Sequence, residues 1–75
     1  MVDLSTVKSG HSGTIAALKT QDEATIRKLM ALGVMPGITL TLEQKFPSYI
    51  IKVGRTRAAL DRETASTIYL HKTIN

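Results

Sequence analysis

The 75-residue sequence contains no cysteine, which excludes disulfide bonds and thiolate metal sites, and its length fits one small domain. Its 43% hydrophobic and 4% aromatic content predicts a compact core built mainly from aliphatic side chains. No apolar run approaches the ~18 residues of a membrane span and no signal-peptide pattern opens the chain, so we expect a single cytoplasmic domain over residues 1–75.

The net charge of +4 is concentrated in one stretch of the chain. Residues 45–62 contain five bases and one acid, so this stretch alone carries a net +4, and the charges of the remaining residues cancel. A local excess of this kind indicates a surface for an acidic partner, or a solvated face that keeps the domain soluble.

The first clear elements are a strand and a helix. A glycine-containing turn over residues 9–13 precedes an apolar strand over residues 14–18. Thr20 and Glu23 form a capping-box pattern, which predicts that the helix begins at Thr20. The predicted helix has one apolar arc, formed by Ile26, Leu29, Met30 and Leu32.

The segment ALGVMPGITL contains three residues that interrupt regular structure. Gly33 occupies the position of the left-handed residue that commonly ends a helix. Pro36 cannot continue the helix, and together with Gly37 it turns the chain into the next strand. Val34 and Met35 either cap the core or form an exposed apolar tip.

The next strand shows the strict alternation of apolar and polar residues that is typical of a half-buried antiparallel strand. Its predicted inward residues are Ile38, Leu40 and Leu42. The stretch QKFPS that follows predicts a turn.

A β-hairpin is predicted from residues 49–53 and 56–60. Gly54 at the first central position fits a two-residue type II′ turn. The resulting register places Lys52 opposite Arg57 on the outer face, although like charges at that position are destabilising.

These two cations lie beside the apolar Ile50 and Ala59 on the predicted outer face. Such a combination indicates a spot that faces a partner. The alternatives are a turn of another length, or a strand twist that separates the charges.

Asp61 predicts the N-cap of a short helical turn, and a last strand over residues 67–70 points Ile68 and Leu70 inward. The order is therefore strand, helix, three strands, short helix, strand. We expect these five short strands to close into a small, mostly-β, SH3-like barrel around one aliphatic core.

Residues for catalysis form no recognisable pattern. Ser9 and Ser12 flank His11, but no third group is available to orient a nucleophile and its base. No glycine-rich phosphate loop is present. The candidate metal ligands, which lack the spacing of a metal site, are His11, His71, Asp61 and Glu63. We therefore expect neither an enzyme nor a bound cofactor or metal.

An RNA-binding barrel is the main alternative. The basic stretch 45–62 suits phosphate contacts, and Phe46 and Tyr49 are candidates for stacking on bases. Tyr49 falls on the predicted core face, however, and Tyr69 is the one further aromatic residue. Nucleic acid is therefore the less favoured partner.

The segment IRKLMALGVMPGITL resembles the R-x-L-x-x-L-G-x-x-P-G segment of the FeoA family, small cytosolic proteins of bacterial ferrous-iron uptake. The matching residues are Arg27, Leu29, Leu32, Gly33, Pro36 and Gly37. The similarity covers residues 4–70, through the opening LSTVKSGHSGTIAAL and the ending AALDRETASTIYL. The sequence departs from the family at Asp61, where a basic residue is frequent.

This resemblance implies an SH3-like fold and an accessory role beside FeoB, the membrane iron transporter with a cytoplasmic GTPase domain. It implies that the chain binds the transporter and does not itself carry iron. Homologous domains also end some metal-dependent repressors, so a detached metal-sensor module is a further alternative.

We therefore predict a regulatory module that docks on the GTPase domain or the cytoplasmic tails of FeoB at the inner face of the membrane, without inserting into it. The candidate contact residues are Val34, Met35, Ile50, Lys52, Arg55 and Arg57. An exposed strand edge is also compatible with a weak homo-oligomer.

Overall fold

A computed structural model describes residues 1–71 of the chain. Its strands are β1 (Val2–Asp3), β2 (Ser12–Leu18), β3 (Thr39–Gln44), β4 (Tyr49–Val53), β5 (Thr56–Leu60) and β6 (Ile68–Leu70). Two α-helices, α1 (Glu23–Ala31) and α2 (Arg62–Ala65), lie between strands, and a 3₁₀ turn over Leu4–Thr6 follows β1.

The six strands form one antiparallel sheet in the order β1-β6-β2-β3-β4-β5. The first half of β2 pairs with β3 and its second half with β6. Bulges between Ile15 and Ala17 and between Leu42 and Gln44 interrupt the register and bend the strands. The predicted mostly-β, SH3-like architecture is confirmed, but within residues 1–71 the ladder is not closed and ends at β1 and β5.

One strand, β1, is not predicted by the sequence pattern. It is only two residues long, too short to show alternation. Val2 and Asp3 pair with Leu70 and Tyr69 at the other end of the chain, so this strand exists only because of a long-range contact.

The core is one aliphatic cluster with a single aromatic member. Its buried side chains are Leu4, Ile15, Leu29, Val34, Leu40, Leu42, Tyr49, Ile51, Val53, Leu60, Ala65, Ile68 and Leu70. Gly13 is part of the close packing in β2, because a methyl group added there would lie 3.1 Å from Leu70 Cδ1.

Helix α1 begins later than the capping-box pattern predicts. Its N-cap is Asp22, whose carboxylate accepts hydrogen bonds from the amide of Ala24 at 3.1 Å and the hydroxyl of Thr25 at 2.8 Å. The hydroxyl of Thr20 instead accepts from the amide of Asp22 at 3.1 Å. The prediction of Thr20 as the cap is wrong, because Asp22, a more favourable capping residue, lies two positions further along and caps the first turn.

Two other predicted inward residues are exposed. Met30 is 50% exposed, because the nine-residue helix buries only Leu29 completely. Ile38 is 38% exposed, because it ends a turn before β3 begins at Thr39. The alternation of Leu40 and Leu42 holds within the strand itself.

The predicted hairpin register is confirmed. Val53 pairs with Thr56, and Lys52 pairs with Arg57. A type II′ turn requires a positive φ at its first central residue only. Gly54 has a φ of +59°, and the φ of Arg55 is not positive. The N-cap role of Asp61 is also confirmed, because its carboxylate accepts from the amide of Thr64 at 3.0 Å.

Candidate protein-docking surface

The connection between α1 and β3 begins with a Schellman motif. The amide of Gly33, whose φ is +90°, donates to the carbonyl of Met30 at 3.0 Å, and the amide of Val34 donates to the carbonyl of Leu29 at 2.9 Å. This motif commonly brings the residue after the glycine against the last turn of the helix. Val34 is 0% exposed and belongs to the core cluster together with Leu29. Its side chain is therefore a barrel cap and is not available to a partner.

Met35 follows Val34 but stays at the surface. The amide of Ile38 donates to the carbonyl of Met35 at 3.2 Å across Pro36 and Gly37, and Gly37 has a φ of +90°. Proline followed by a left-handed glycine is the arrangement of a type II turn. Met35 at the start of this turn is 37% exposed, so one of the two predicted apolar contacts remains accessible.

The connection and the tip of the hairpin lie at the same end of the molecule. A methyl group placed on Gly33 would lie 3.5 Å from Cγ1 of Val53, the last residue before the hairpin turn. Gly33, two residues before the exposed Met35, therefore lies beside Val53, two residues before the exposed Arg55.

The outer face of the hairpin contains an ion pair that sequence reading did not find. Arg57 Nε donates to Glu43 Oε1 at 2.7 Å, across the intervening strand β4. The hydrogen bond from Arg57 lowers the pKa of Glu43, and the charge of Lys52 lowers it further. The same bond raises the pKa of Arg57.

Glu43 thus relieves the repulsion between the two opposed cations. The turn has the predicted length, so the apparent conflict is solved by a carboxylate from β3. Lys52 and Ile50 are half-buried on this outer face, while Arg57 is exposed.

The opposite end of the hairpin forms a groove of about 490 Å³. Phe46 lines it and is 85% exposed, more than any other large apolar side chain within residues 1–71. Pro47 and the ends of β4 and β5 complete the apolar part, Lys45 and Arg62 add positive charge, and Asp61 adds a negative charge. The signal in the sequence was an apolar Phe-Pro pair inside the basic stretch.

The described residues offer little to the other function classes. Tyr49 is buried, and Lys19 Nζ lies 4.4 Å from the ring centroid of Tyr69, so Phe46 alone is a free aromatic platform within residues 1–71. No group of three histidine, cysteine, aspartate or glutamate residues in the described part could hold a metal ion. None of its helices is long and apolar enough to cross a membrane.

Repressor-type proteins share this fold as one part of a longer chain. A manganese-dependent transcriptional repressor matches with a TM-score of 0.81 and 18% identity, over 91% of this chain and 39% of that chain. The chain therefore spans well under half of that protein, and the likeness concerns the fold alone.

Two separate FeoA proteins match along nearly their whole length. The crystal structure of an iron uptake regulatory protein, FeoA, is 26% identical, with a TM-score of 0.84 and coverage of 96% of both chains. The zinc complex of FeoA from Stenotrophomonas maltophilia, a prokaryotic SH3 domain protein, is 23% identical, with a TM-score of 0.82 over 95% of this chain and 91% of that chain.

No curated protein sequence is similar enough to count as a match. The model of the FeoA domain family, in contrast, matches residues 2–72, which is nearly the whole chain. The chain therefore belongs to the FeoA family, whose SH3-like domains are related to the accessory proteins of ferrous iron transport.

Proposed function

We propose that this protein is a non-enzymatic regulator of ferrous-iron import that docks on the cytoplasmic GTPase domain or tails of an FeoB-like transporter. The observation that carries the proposal is the surface of the basic hairpin, which combines positive charge with exposed apolar side chains at both ends. We call this the hairpin surface and define it by Met35, Phe46, Ile50, Lys52, Arg55 and Arg57.

The two kinds of residue have different tasks in this proposal. Exposed apolar side chains such as Phe46 and Met35 are desolvated on binding and supply most of the affinity. Cations at the rim, such as Arg55, accelerate the encounter with an acidic partner and set its orientation. Arg57 is already held by Glu43, so its guanidinium is preorganised for contact.

A binding experiment with the transporter tests the proposal. The GTPase domain and each cytoplasmic tail of FeoB are immobilised separately, and the wild-type chain is titrated over them at low and high salt. We expect one segment to bind, with an affinity that falls as salt rises.

Charge reversal then locates the surface. Arg55→Glu is expected to weaken binding about fivefold, because it replaces an exposed steering charge. Lys8→Glu is the matched control: Lys8 is also an exposed cation but lies in the connection before β2, outside the hairpin. Absence of binding by every segment contradicts the proposal, and equal losses in both variants contradict the choice of surface.

RNA binding through the same basic stretch predicts a different outcome. Single-stranded RNA would bind with a strong salt dependence at low ionic strength. A flat titration with such RNA removes this alternative.

A further inference from the structure

Strand β5 is an open edge of the sheet. Within residues 1–71 it pairs only with β4. In a hairpin with a two-residue turn, the residues that flank the turn form a hydrogen-bonded pair, and such pairs alternate along the strands. Thr56, Ala58 and Leu60 therefore bond to β4, whereas the main-chain amides and carbonyls of Arg57 and Ala59 point away from it.

These outward groups are accessible. Arg57 and Ala59 are both exposed residues. No backbone hydrogen bond from another part of the described chain reaches either residue. The edge therefore presents two amides and two carbonyls in the spacing of a β-ladder, which is a template for an added strand.

The charges along this edge select the kind of strand that can pair with it. A second copy paired antiparallel with Arg57 opposite Arg57 would bring like charges together, and this repulsion opposes that register. An acidic segment would instead be attracted by these arginines. The guanidinium of Arg57 uses its Nε for Glu43 and retains its terminal nitrogens for a further carboxylate.

The groove at the end of β5 adds a preference for apolar side chains. Leu60 and Phe46 both line it, and its volume of about 490 Å³ is enough for a large apolar side chain. In an added strand, alternate residues point to opposite faces, so one set would face Arg57 while the other set would continue the inner side toward Leu60.

We infer that β5 binds an extended segment of alternating acidic and apolar residues as an additional strand, held by the main chain of Arg57 and Ala59. The inference rests on the proposed function in that it assigns this segment to the transporter. The inference goes beyond the proposed function because it specifies strand addition as the mode of binding and names the sequence pattern that is recognised.

Ala59→Pro tests the strand addition directly. Proline removes the outward amide and obstructs an incoming strand, but the hydrogen bonds between β4 and β5 do not use that amide, so the hairpin is retained. Ala59→Val is the matched control, because valine is similar in size to proline and keeps the backbone amide. Circular dichroism and thermal unfolding verify that both variants fold.

The first probe is the FeoB segment that binds the wild type. We expect Ala59→Pro to lower its affinity about tenfold or more, and Ala59→Val to leave it unchanged within about twofold. If the segment binds both variants as tightly as the wild type, strand addition is overturned while docking on FeoB stands.

The second probe is independent of FeoB. A synthetic peptide of alternating glutamate and valine is titrated into the ¹⁵N-labelled chain, with a peptide of the same composition but grouped residues as control. We expect the amide signals of Arg57 and Ala59 to shift only with the alternating peptide. If this peptide binds but no FeoB segment does, the edge site stands and the proposed function fails; equal shifts with both peptides overturn the strand mode.

Analytical sedimentation tests whether a second copy of the chain occupies this edge. A dimer of the wild type that Ala59→Pro abolishes would assign the edge to a second copy and overturn the acidic partner. Tighter binding of single-stranded RNA than of the acidic peptide at these same amides would overturn it as well.

Discussion

The connections over residues 33–38 and 45–48 each place an apolar side chain between two regular elements, yet one is buried and the other is not. Val34 is anchored in the core by the hydrogen bonds of a helix C-cap. Phe46 belongs to a loop without such a motif, and its ring lies at the mouth of a groove. An apolar loop residue is thus part of the core when local hydrogen bonds direct it inward, and a candidate contact when they do not.

The largest expected effect is on stability at Val34. Val34→Ala removes two buried methyl groups, so we expect the free energy of unfolding to fall by about 2 kcal/mol. Phe46→Ala should change it by less than about 0.5 kcal/mol, because the ring is already in water. Urea denaturation of both variants measures the difference, and equal losses would break the distinction between the two connections.

The Schellman glycine should give the next largest effect. Gly33→Ala forces a Cβ into a left-handed conformation with a φ of +90°, so we expect a loss of about 1–2 kcal/mol. Gly33→Asn should lose less, since asparagine tolerates this conformation better. Thermal unfolding compares the two variants. If asparagine is as costly as alanine, crowding against Val53 rather than backbone strain controls the position.

The role of the exposed Phe46 is tested by partner binding. Phe46→Ala should weaken binding of the FeoB segment about fivefold, because a side chain desolvated at an interface typically contributes on the order of 1 kcal/mol or more. Met30→Ala is the control, since Met30 is also exposed but lies on α1. Isothermal titration of both variants measures the affinities, and an equal loss at Met30 would count against the groove.

The smallest expected effect is a pH dependence of stability that arises at Asp61, beside the groove. Asp61 lines the groove, and the hydrogen bonds from the side chain and amide of Thr64 lower its pKa. A lowered folded-state pKa contributes stability above the ordinary aspartate pKa of about 3.9, and this contribution is lost as the pH falls through the folded-state value. The connection 33–38 contains no ionisable side chain.

Amide chemical shifts followed from pH 7 to pH 2 measure this difference. The amide of Thr64 should titrate with a midpoint below the usual range of aspartate, while those of Gly33 and Val34 stay constant until unfolding begins. Asp61→Asn keeps a capping oxygen and should abolish the titration at Thr64. A parallel titration of all three amides would mean that acid acts on the whole fold.

Features set by neighbouring residues were predictable. Alternation and one glycine were enough for the register of β4 and β5, because a two-residue turn allows only one pairing. The cap of α1 was misplaced by two positions, because Thr20 and Asp22 can both cap a helix and the capping-box pattern favoured Thr20. The sequence left Val34 and Met35 open between a core cap and an exposed tip; in the fold Val34 is buried and Met35 is exposed.

The sequence by itself determined the order of the elements from β2 onward, the end of α1 just before Gly33 and the facing of Lys52 and Arg57, since all of these follow from contacts between residues close in the chain. Only the tertiary structure decided that Glu43 pairs with Arg57 and so weakens its repulsion with Lys52, that β5 is an edge and that Phe46 borders a groove. These features depend on which distant strands become neighbours, and a local pattern contains no information about that choice.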